Sequence, residues 1–457
     1  MDITDVIYVV IKALLGIWSN FTSVNLPSMQ LANPYWGPGE PPINPDLSIR
    51  PFKVHFSNEV VNDLKYRLNH TKKLQSTLEN AASTYGINSE FLPKVIEYWL
   101  HKYNFKEREA HLNQYPQFIT NVQGLDIHYV HAKPQLPKDS GIEVLPLLIQ
   151  HGWPGSVVEF YKVIPKLTAP SAERNFVFEV IAPSLPGFGY SDAAAKIGLG
   201  ATEIATVLKI LMGRIGHDKF YAQGGDWGGI VLANLASMYP EVVLGLHSNF
   251  CVLSSPSALL KLAYYSLQPS LLLEYERPYM PSFGQLLYQL VERSAYYHEQ
   301  ATRPDSFGVG LNDSPAGLAA YVLEKFSEAA NYDNRFSDDG NLSQHYAMDD
   351  LIDNLMYYWA PAKITSSMRI YAESSSLLSI MSSSLNADLI TVPSACTAFP
   401  HEIIFIPEVL LRTRYVNLVQ RTLKPRGGHF AALEEPQLFV DDVFAAVEKM
   451  RRRGAAE

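Results

Sequence analysis

From Phe220 the chain reads Phe-Tyr-Ala-Gln-Gly-Gly-Asp-Trp-Gly-Gly, which sets Asp226 two positions from Gly224 on one side and two from Gly228 on the other. A nucleophile flanked by small residues at this spacing sits at the tip of a sharp turn from strand to helix, where larger flanking side chains would collide. An Asp after Gly-Gly also suits a helix N-cap, so the motif alone leaves both uses open. The surrounding set favours chemistry. His151-Gly-Trp-Pro154 follows an earlier strand-like run, at the place where such a turn supplies half of an oxyanion hole, and the backbone amides of Trp153 and Trp227 would converge on one oxygen. His429, in Arg-Gly-Gly-His-Phe, follows the last strand-like run and is the candidate general base. Its orienting acid should lie between lid and histidine; Glu402, in Phe-Pro-His-Glu, is preferred to Glu408, which follows Pro407 and is suited to starting a helix. Asn249, at the end of the strand before the lid, offers no carboxylate.

A carboxylate in place of a hydroxyl at the turn narrows the reaction. Attack by serine on a saturated carbon would leave an ether that water and histidine do not cleave; attack by Asp226 leaves an ester that they do. The chemistry implied is displacement at a saturated carbon followed by ester hydrolysis, with epoxides and alkyl halides as the two substrate classes. No metal or organic cofactor is needed. Opening an epoxide also calls for a donor to the developing alkoxide, and a phenol, with a pKa of about 10, is a donor at neutral pH. The stretch 254–363 holds 12 of the 26 tyrosines, too many for the residues alone to single one out. A dehalogenase would instead hold halide with N–H donors such as those of Trp153 and Trp227. A non-catalytic protein that binds hydrophobic ligands on the same scaffold is the third reading, but every expected catalytic position is filled.

These side chains need a scaffold. With 457 residues, 47% of them hydrophobic, there is ample material for a large core, and a formal net charge of -9 excludes a nucleic-acid partner. Two cysteines, Cys251 and Cys396, are too few for a disulfide framework and point to a reducing compartment. Residues 6–18 form an apolar run that as a helix puts Ile3, Ile7, Val10, Ile11, Leu14, Leu15 and Trp18 on one face, which predicts a membrane anchor. A Pro- and Gly-rich connector, 33–51, follows. Ser57 reads as an N-cap opening a helical section to about His111. Short apolar runs at 144–150, 176–181, 220–223 and 242–247 alternate with helical patterns at 202–215 and 230–239, the signature of an α/β chain with a parallel sheet. The alternation stops between 254 and 363, where helical spacing and aromatics predict a lid, with Ser314-Pro315 as a helix start. Strand-like runs resume at 368–371, 387–392 and 415–423. The predicted divisions are an anchor (1–20), a connector and helical extension (21–120), a core in two parts (121–253 and 366–457) and a lid (254–365).

The runs Trp36-Gly-Pro, Ser48-Ile-Arg-Pro-Phe-Lys, His151-Gly-Trp-Pro-Gly-Ser, Gly224-Gly-Asp-Trp-Gly, Leu311-Asn-Asp-Ser-Pro-Ala-Gly-Leu and Arg426-Gly-Gly-His-Phe occur in an order that resembles the microsomal epoxide hydrolase family, especially its insect juvenile hormone epoxide hydrolase branch. The resemblance spans essentially the whole chain. It implies an α/β-hydrolase fold with a mostly parallel central sheet, a helical lid and an N-terminal helical extension with a membrane anchor. It further implies Asp226 as nucleophile, His429 as base, Glu402 as its acid, and Tyr296 and Tyr371 as the donor phenols, with Tyr297 adjacent to the first. The implied substrates are lipophilic epoxides, a juvenile hormone or foreign compounds, and the implied location is the endoplasmic reticulum membrane with the catalytic part facing the cytosol.

Overall fold

The computed structural model describes residues 34–253, 256–375 and 389–454. The apolar run at 6–18 lies outside them, as does most of a Ser-rich stretch after 374. Among the described residues no helix is long and apolar enough to cross a membrane.

Nine strands form one sheet: β1 (Arg50–Phe52), β2 (Gln117–Val122), β3 (Leu125–Ala132), β4 (Glu143–Gln150), β5 (Phe176–Pro183), β6 (Phe220–Gly224), β7 (Val243–Ser248), β8 (Ser394–Ala398) and β9 (Leu418–Leu423), in the order β1-β2-β3-β5-β4-β6-β7-β8-β9. The first three are antiparallel to their neighbours, and from β5 onward all pairs are parallel. The central strands are apolar on both faces because helices cover both sides of the sheet. An alternation of buried with exposed side chains is absent from β6, where all five residues are buried. The four runs read as strands before the lid therefore match β4 to β7 within one or two residues.

The helical section expected after Ser57 consists of three helices, α1 (Asn58–Asn69), α2 (Leu92–His101) and α3 (Phe105–Leu112), joined by irregular chain. Ser57 does cap α1, its hydroxyl accepting from the Val60 amide at 3.2 Å. The hairpin β2–β3 was not anticipated; its turn, Gln123-Gly124, has φ of +51° and +86°, values that glycine adopts without strain. Helices α4 (Ala201–Ile215) and α5 (Asp226–Met238) pack on each other beside the sheet.

Between β7 and β8 every described element is helical, the main ones being α6 (Pro256–Leu267), α7 (Phe283–Glu292), α8 (Ala295–Thr302), α9 (Pro304–Asp313), α10 (Pro315–Ala330), α11 (Met348–Trp359) and α12 (Ile364–Ser375). Ser314 caps α10 through the Gly317 amide at 3.0 Å. The stretch 368–371, read as a strand, lies inside α12: Ile364, Ser367, Met368 and Tyr371 are buried at helical spacing, a longer period than the four residues alone display. The run at 387–392 contributes only a bridge from Ile390 to Tyr415, and the strand is β8, a few residues later. At α11 the buried Asp353 receives Arg108 from α3 and the Tyr103 hydroxyl at 2.7 Å, which locks the N-terminal extension to the lid side of the molecule. Helix α13 (Pro436–Gly454) closes the chain against the sheet.

The two cysteines are joined as a disulfide, Cys251 to Cys396, across 145 residues. The expectation of two reduced thiols is overturned because β7 and β8 are neighbours in the sheet, so the insertion of the lid separates in sequence what the sheet brings together. Cysteine scarcity thus carries no argument for a reducing compartment.

Candidate active site

Strand β6 ends at Gly224 and α5 begins at Asp226, whose φ of +49° is a left-handed value rare outside glycine. Such a turn holds only where the neighbouring backbone can come close. A Cβ on Gly228 would stand 2.1 Å from the Gln150 carbonyl oxygen, and one on Gly224 would stand 2.7 Å from the Gly228 backbone. Both glycines flanking the motif are therefore demanded by contact.

The Asp226 carboxylate does not cap its own helix; the cap position is Gly225, without a side-chain bond. Its Oδ1 instead accepts from the Trp153 amide at 2.7 Å, and its Oδ2 lies 3.3 Å from His429 Nε2. His429 Nδ1 donates to Glu402 Oε1 at 2.6 Å, and the same oxygen accepts from the Ile403 amide at 2.7 Å. Glu402, on the loop after β8, is thus the acid at the imidazole. Glu408 opens a short helix elsewhere, taking the Tyr275 hydroxyl at 2.9 Å and pairing with Arg412.

Close packing fixes each member. A Cβ on Gly152 would come within 2.1 Å of Asp226 Oδ1, so the turn after β4 requires glycine next to Trp153. The histidine loop turns at Gly427, φ +100°, and Gly428 and Phe430 on either side of His429 both donate their amides to Glu434, at 2.8 and 2.9 Å. The His429 amide itself donates to Ala329 at the end of α10, 3.0 Å away, tying the loop to the lid.

Burial opposes charge on the imidazole, yet Glu402 and Asp226 together outweigh it and hold His429 well above its usual pKa of 6.5. The charged form of the ring is thereby favoured in its place between Glu402 and Asp226.

Tyr296 on α8 and Tyr371 on α12 face this group across an aromatic cluster. Tyr296 stacks on Trp153 with ring centres 5.7 Å apart and planes 14° apart, and Tyr371 stands edge-on to Trp227 at 4.8 Å. The two phenol rings are 6.0 Å apart. Tyr297 also touches Tyr371, at 5.4 Å, whereas Tyr296 is the one against Trp153. Burial, with the Asp226 charge adding to it, pushes both Tyr296 and Tyr371 above the ordinary phenol value of 10. Both stay protonated at neutral pH and can donate. The Trp227 amide, expected beside that of Trp153, makes no hydrogen bond to Asp226 here; the resting carboxylate oxygen is not the position that a tetrahedral oxyanion takes.

Two acids near the imidazole escaped the reading of the sequence. Glu159 and Glu434 are buried carboxyls whose pKa values desolvation pushes up to about 8 and about 7. The available signal was position: each lies five residues beyond a motif residue, Pro154 and His429. Among the described residues, the acid and histidine groups close enough to share a metal ion are His131–Glu179–His217 and His111–Asp350–Asp353. Neither includes any residue of the site, and Lys133 and Arg108 already neutralise their carboxylates.

The family described as "Epoxide hydrolase N terminus" matches residues 49–160, and "alpha/beta hydrolase fold" matches residues 146–391. The chain is 48% identical over 420 residues to juvenile hormone epoxide hydrolase 1 of Ctenocephalides felis, covering 91% of this chain and 89% of that protein. It is 42% identical to epoxide hydrolase 1 of Oryctolagus cuniculus, covering 93% and 94%. The crystal structure of juvenile hormone epoxide hydrolase from the silkworm Bombyx mori superposes with a TM-score of 0.90 at 43% identity, over 92% of this chain and 99% of that one. With an aspartate at the elbow, an imidazole and acid behind it, and likeness along nearly its full length, the chain belongs to the epoxide hydrolase family on the α/β-hydrolase fold.

Proposed function

We propose that Asp226 is the nucleophile of this epoxide hydrolase, that Tyr296 and Tyr371 are its electrophilic donors, and that His429, oriented by Glu402, activates water for the second half-reaction. The observation that carries the reading is the division of labour on one carboxylate: Oδ1 is held by the Trp153 amide, while Oδ2 faces the imidazole. In the first step Oδ2 attacks an epoxide carbon, the C–O bond of the ring breaks, and a phenol gives the resulting alkoxide its proton, the phenolate then regaining one through solvent from the His429 imidazolium. In the second, water adds to Cγ of the ester, His429 takes a proton, and negative charge collects on Oδ1, where Trp153 and, in the tetrahedral state, Trp227 donate. Collapse breaks the bond from Cγ to the substrate oxygen and releases a vicinal diol.

Charge coupling orders the two steps. Esterification removes the Asp226 charge, and with it one of the two supports that keep His429 protonated, so the imidazole becomes a better base once the ester exists.

The substrates proposed are lipophilic epoxides, a juvenile hormone among them, on the strength of the aromatic enclosure and the names of the relatives. Residues 254–365 act as lid over a core of 121–253 and 366–457, with 21–120 as connector and extension. The 1–20 segment anchors the protein at the endoplasmic reticulum membrane. A cytosol-facing catalytic part draws on the resemblance alone; protease digestion of sealed microsomes, with and without detergent, tests it.

The decisive experiment is one turnover in water labelled with the heavy oxygen isotope. Label is expected in the Asp226 carboxyl and not in the first diol released; label in that diol rules out the ester. Comparing hydrolysis of a juvenile hormone with that of styrene oxide on purified protein ranks the substrates.

A further inference from the structure

A cavity of about 10 Å³ lies against the reacting pair, bounded by Asp226, His429, Glu159, Gln150, Gln223 and Asn249. That is close to the room that one water molecule needs. Three side-chain oxygens of these lining residues, Glu159 Oε1, Gln150 Oε1 and Gln223 Oε1, are shut off from solvent and have no hydrogen-bond partner. The amide groups of the two glutamines are already committed, Gln150 Nε2 to the Pro183 carbonyl and Gln223 Nε2 to Asn249 Oδ1, each at 3.0 Å. These three oxygens are left without a hydrogen bond, and buried polar atoms in this state cost free energy unless something pairs with them.

Glu159 is built into this position. It belongs to the short helix Val157–Phe160, whose cap Ser156 is held by Asn354 of α11 at 2.7 Å. Its carboxyl lies over Gly155, where a Cβ would stand only 1.5 Å from Oε1. Burial, reinforced by Asp226 and opposed by His429 and the Ser156 amide, leaves the carboxyl mainly uncharged at neutral pH. A neutral acid here adds no further anion to keep the imidazole protonated.

We propose that this cavity seats the water that hydrolyses the Asp226 ester, and that Glu159 Oε1 accepts the one proton of that water which His429 does not take. The inference rests on the ester mechanism given above. With one O–H directed to His429 Nε2 and the other to Glu159 in a hydrogen bond, the water's lone pair is left to face Cγ. The oxygen bonds to Cγ, its first proton passes to His429 and then to the departing diol oxygen, and its second stays on the re-formed Asp226 carboxyl until that group ionises. Glu159 gains and loses no proton.

Single turnovers of styrene oxide test this, with ester formation followed by tryptophan fluorescence and by intact mass after acid quench. Glu159→Leu is expected to slow ester hydrolysis by roughly 10- to 100-fold, the effect of a lost hydrogen bond to the reacting water, while alkylation changes by less than about 3-fold. Glu159→Gln, which keeps an acceptor oxygen and the volume, is expected to recover most of the loss. Equal slowing of both steps in the Leu variant, or no slowing of hydrolysis, overturns the proposal; if that variant does not fold, hydrolysis in Glu159→Gln slowed by as much as about 10-fold overturns it. If the wild-type protein forms no ester, the underlying mechanism fails first and takes the inference with it; if the ester forms and decays equally fast in all three proteins, only the role of Glu159 fails.

Discussion

Glu402 and His429 meet through a 2.6 Å hydrogen bond from Nδ1 to Oε1, and this single contact decides which ring nitrogen is left for chemistry. With Nδ1 committed, Nε2 is the nitrogen that faces Asp226, 3.3 Å from Oδ2. Both acids favour the charged imidazole, which must give up its proton before it can act as a base.

The two half-reactions should therefore respond differently to pH. The proposed alkylation draws on phenols whose pKa values lie above 10, so its rate constant should stay level between about pH 6 and pH 9. Hydrolysis needs neutral His429. In the ester the Asp226 charge is gone and Glu402 remains to favour the imidazolium, so the base is blocked below the pKa it then has and freed above it, and ester decay should accelerate as pH rises. Single-turnover traces across this range check the split; parallel profiles for the two steps would contradict it.

Removing either phenol should weaken alkylation alone. Tyr371→Phe and Tyr296→Phe each delete one proposed donor to the alkoxide while keeping the ring packing on Trp227 and Trp153. A loss of about 10²-fold in the alkylation rate is expected for each, with ester decay unchanged. A Tyr297→Phe variant should leave alkylation near the wild-type rate; a larger effect there than at Tyr296 would move the donor role by one residue.

Gly152→Ala should silence the enzyme without unfolding it. The new methyl would meet Asp226 Oδ1 at 2.1 Å, so the carboxylate must swing off the Trp153 amide. Turnover is expected to fall by about 10²-fold or more, as when an oxyanion donor is lost, while the circular dichroism spectrum is retained. Wild-type turnover in this variant would show that the Trp153 contact is dispensable.

Arg108→Met addresses the frame rather than the chemistry. Asp353 is fully buried on α11 and Arg108 is its charged partner from α3, so the variant leaves a carboxylate inside with only the Tyr103 hydroxyl. Breaking a buried pair from one side costs about 3–5 kcal/mol, which urea unfolding would register as an earlier transition. The double variant Arg108→Met with Asp353→Leu should regain much of that loss. A single variant as stable as wild type would mean that the extension is not locked to the lid through this pair.

The amino-acid sequence by itself determined whatever depends on short-range pattern. The glycine spacing about Asp226 marks the elbow because a φ of +49° and the approach of Gln150 to Gly228 are local demands. Strands β4 to β7 declare themselves as apolar runs, and Ser57 and Ser314 as caps, for the same reason. Only the tertiary structure decided what depends on distance along the chain. It selected Glu402 over Glu408, stacked Tyr296 rather than Tyr297 on Trp153, drew Tyr371 out of an apparent strand into α12, and joined Cys251 to Cys396. The sheet places β7 beside β8 with a helical insertion between them, so that Cys251 and Cys396, 145 positions apart, become neighbours. The cavity walled by Glu159, Gln150 and Gln223 belongs to the same class: its three unpartnered oxygens come from separate elements, and only their packing leaves a gap between them.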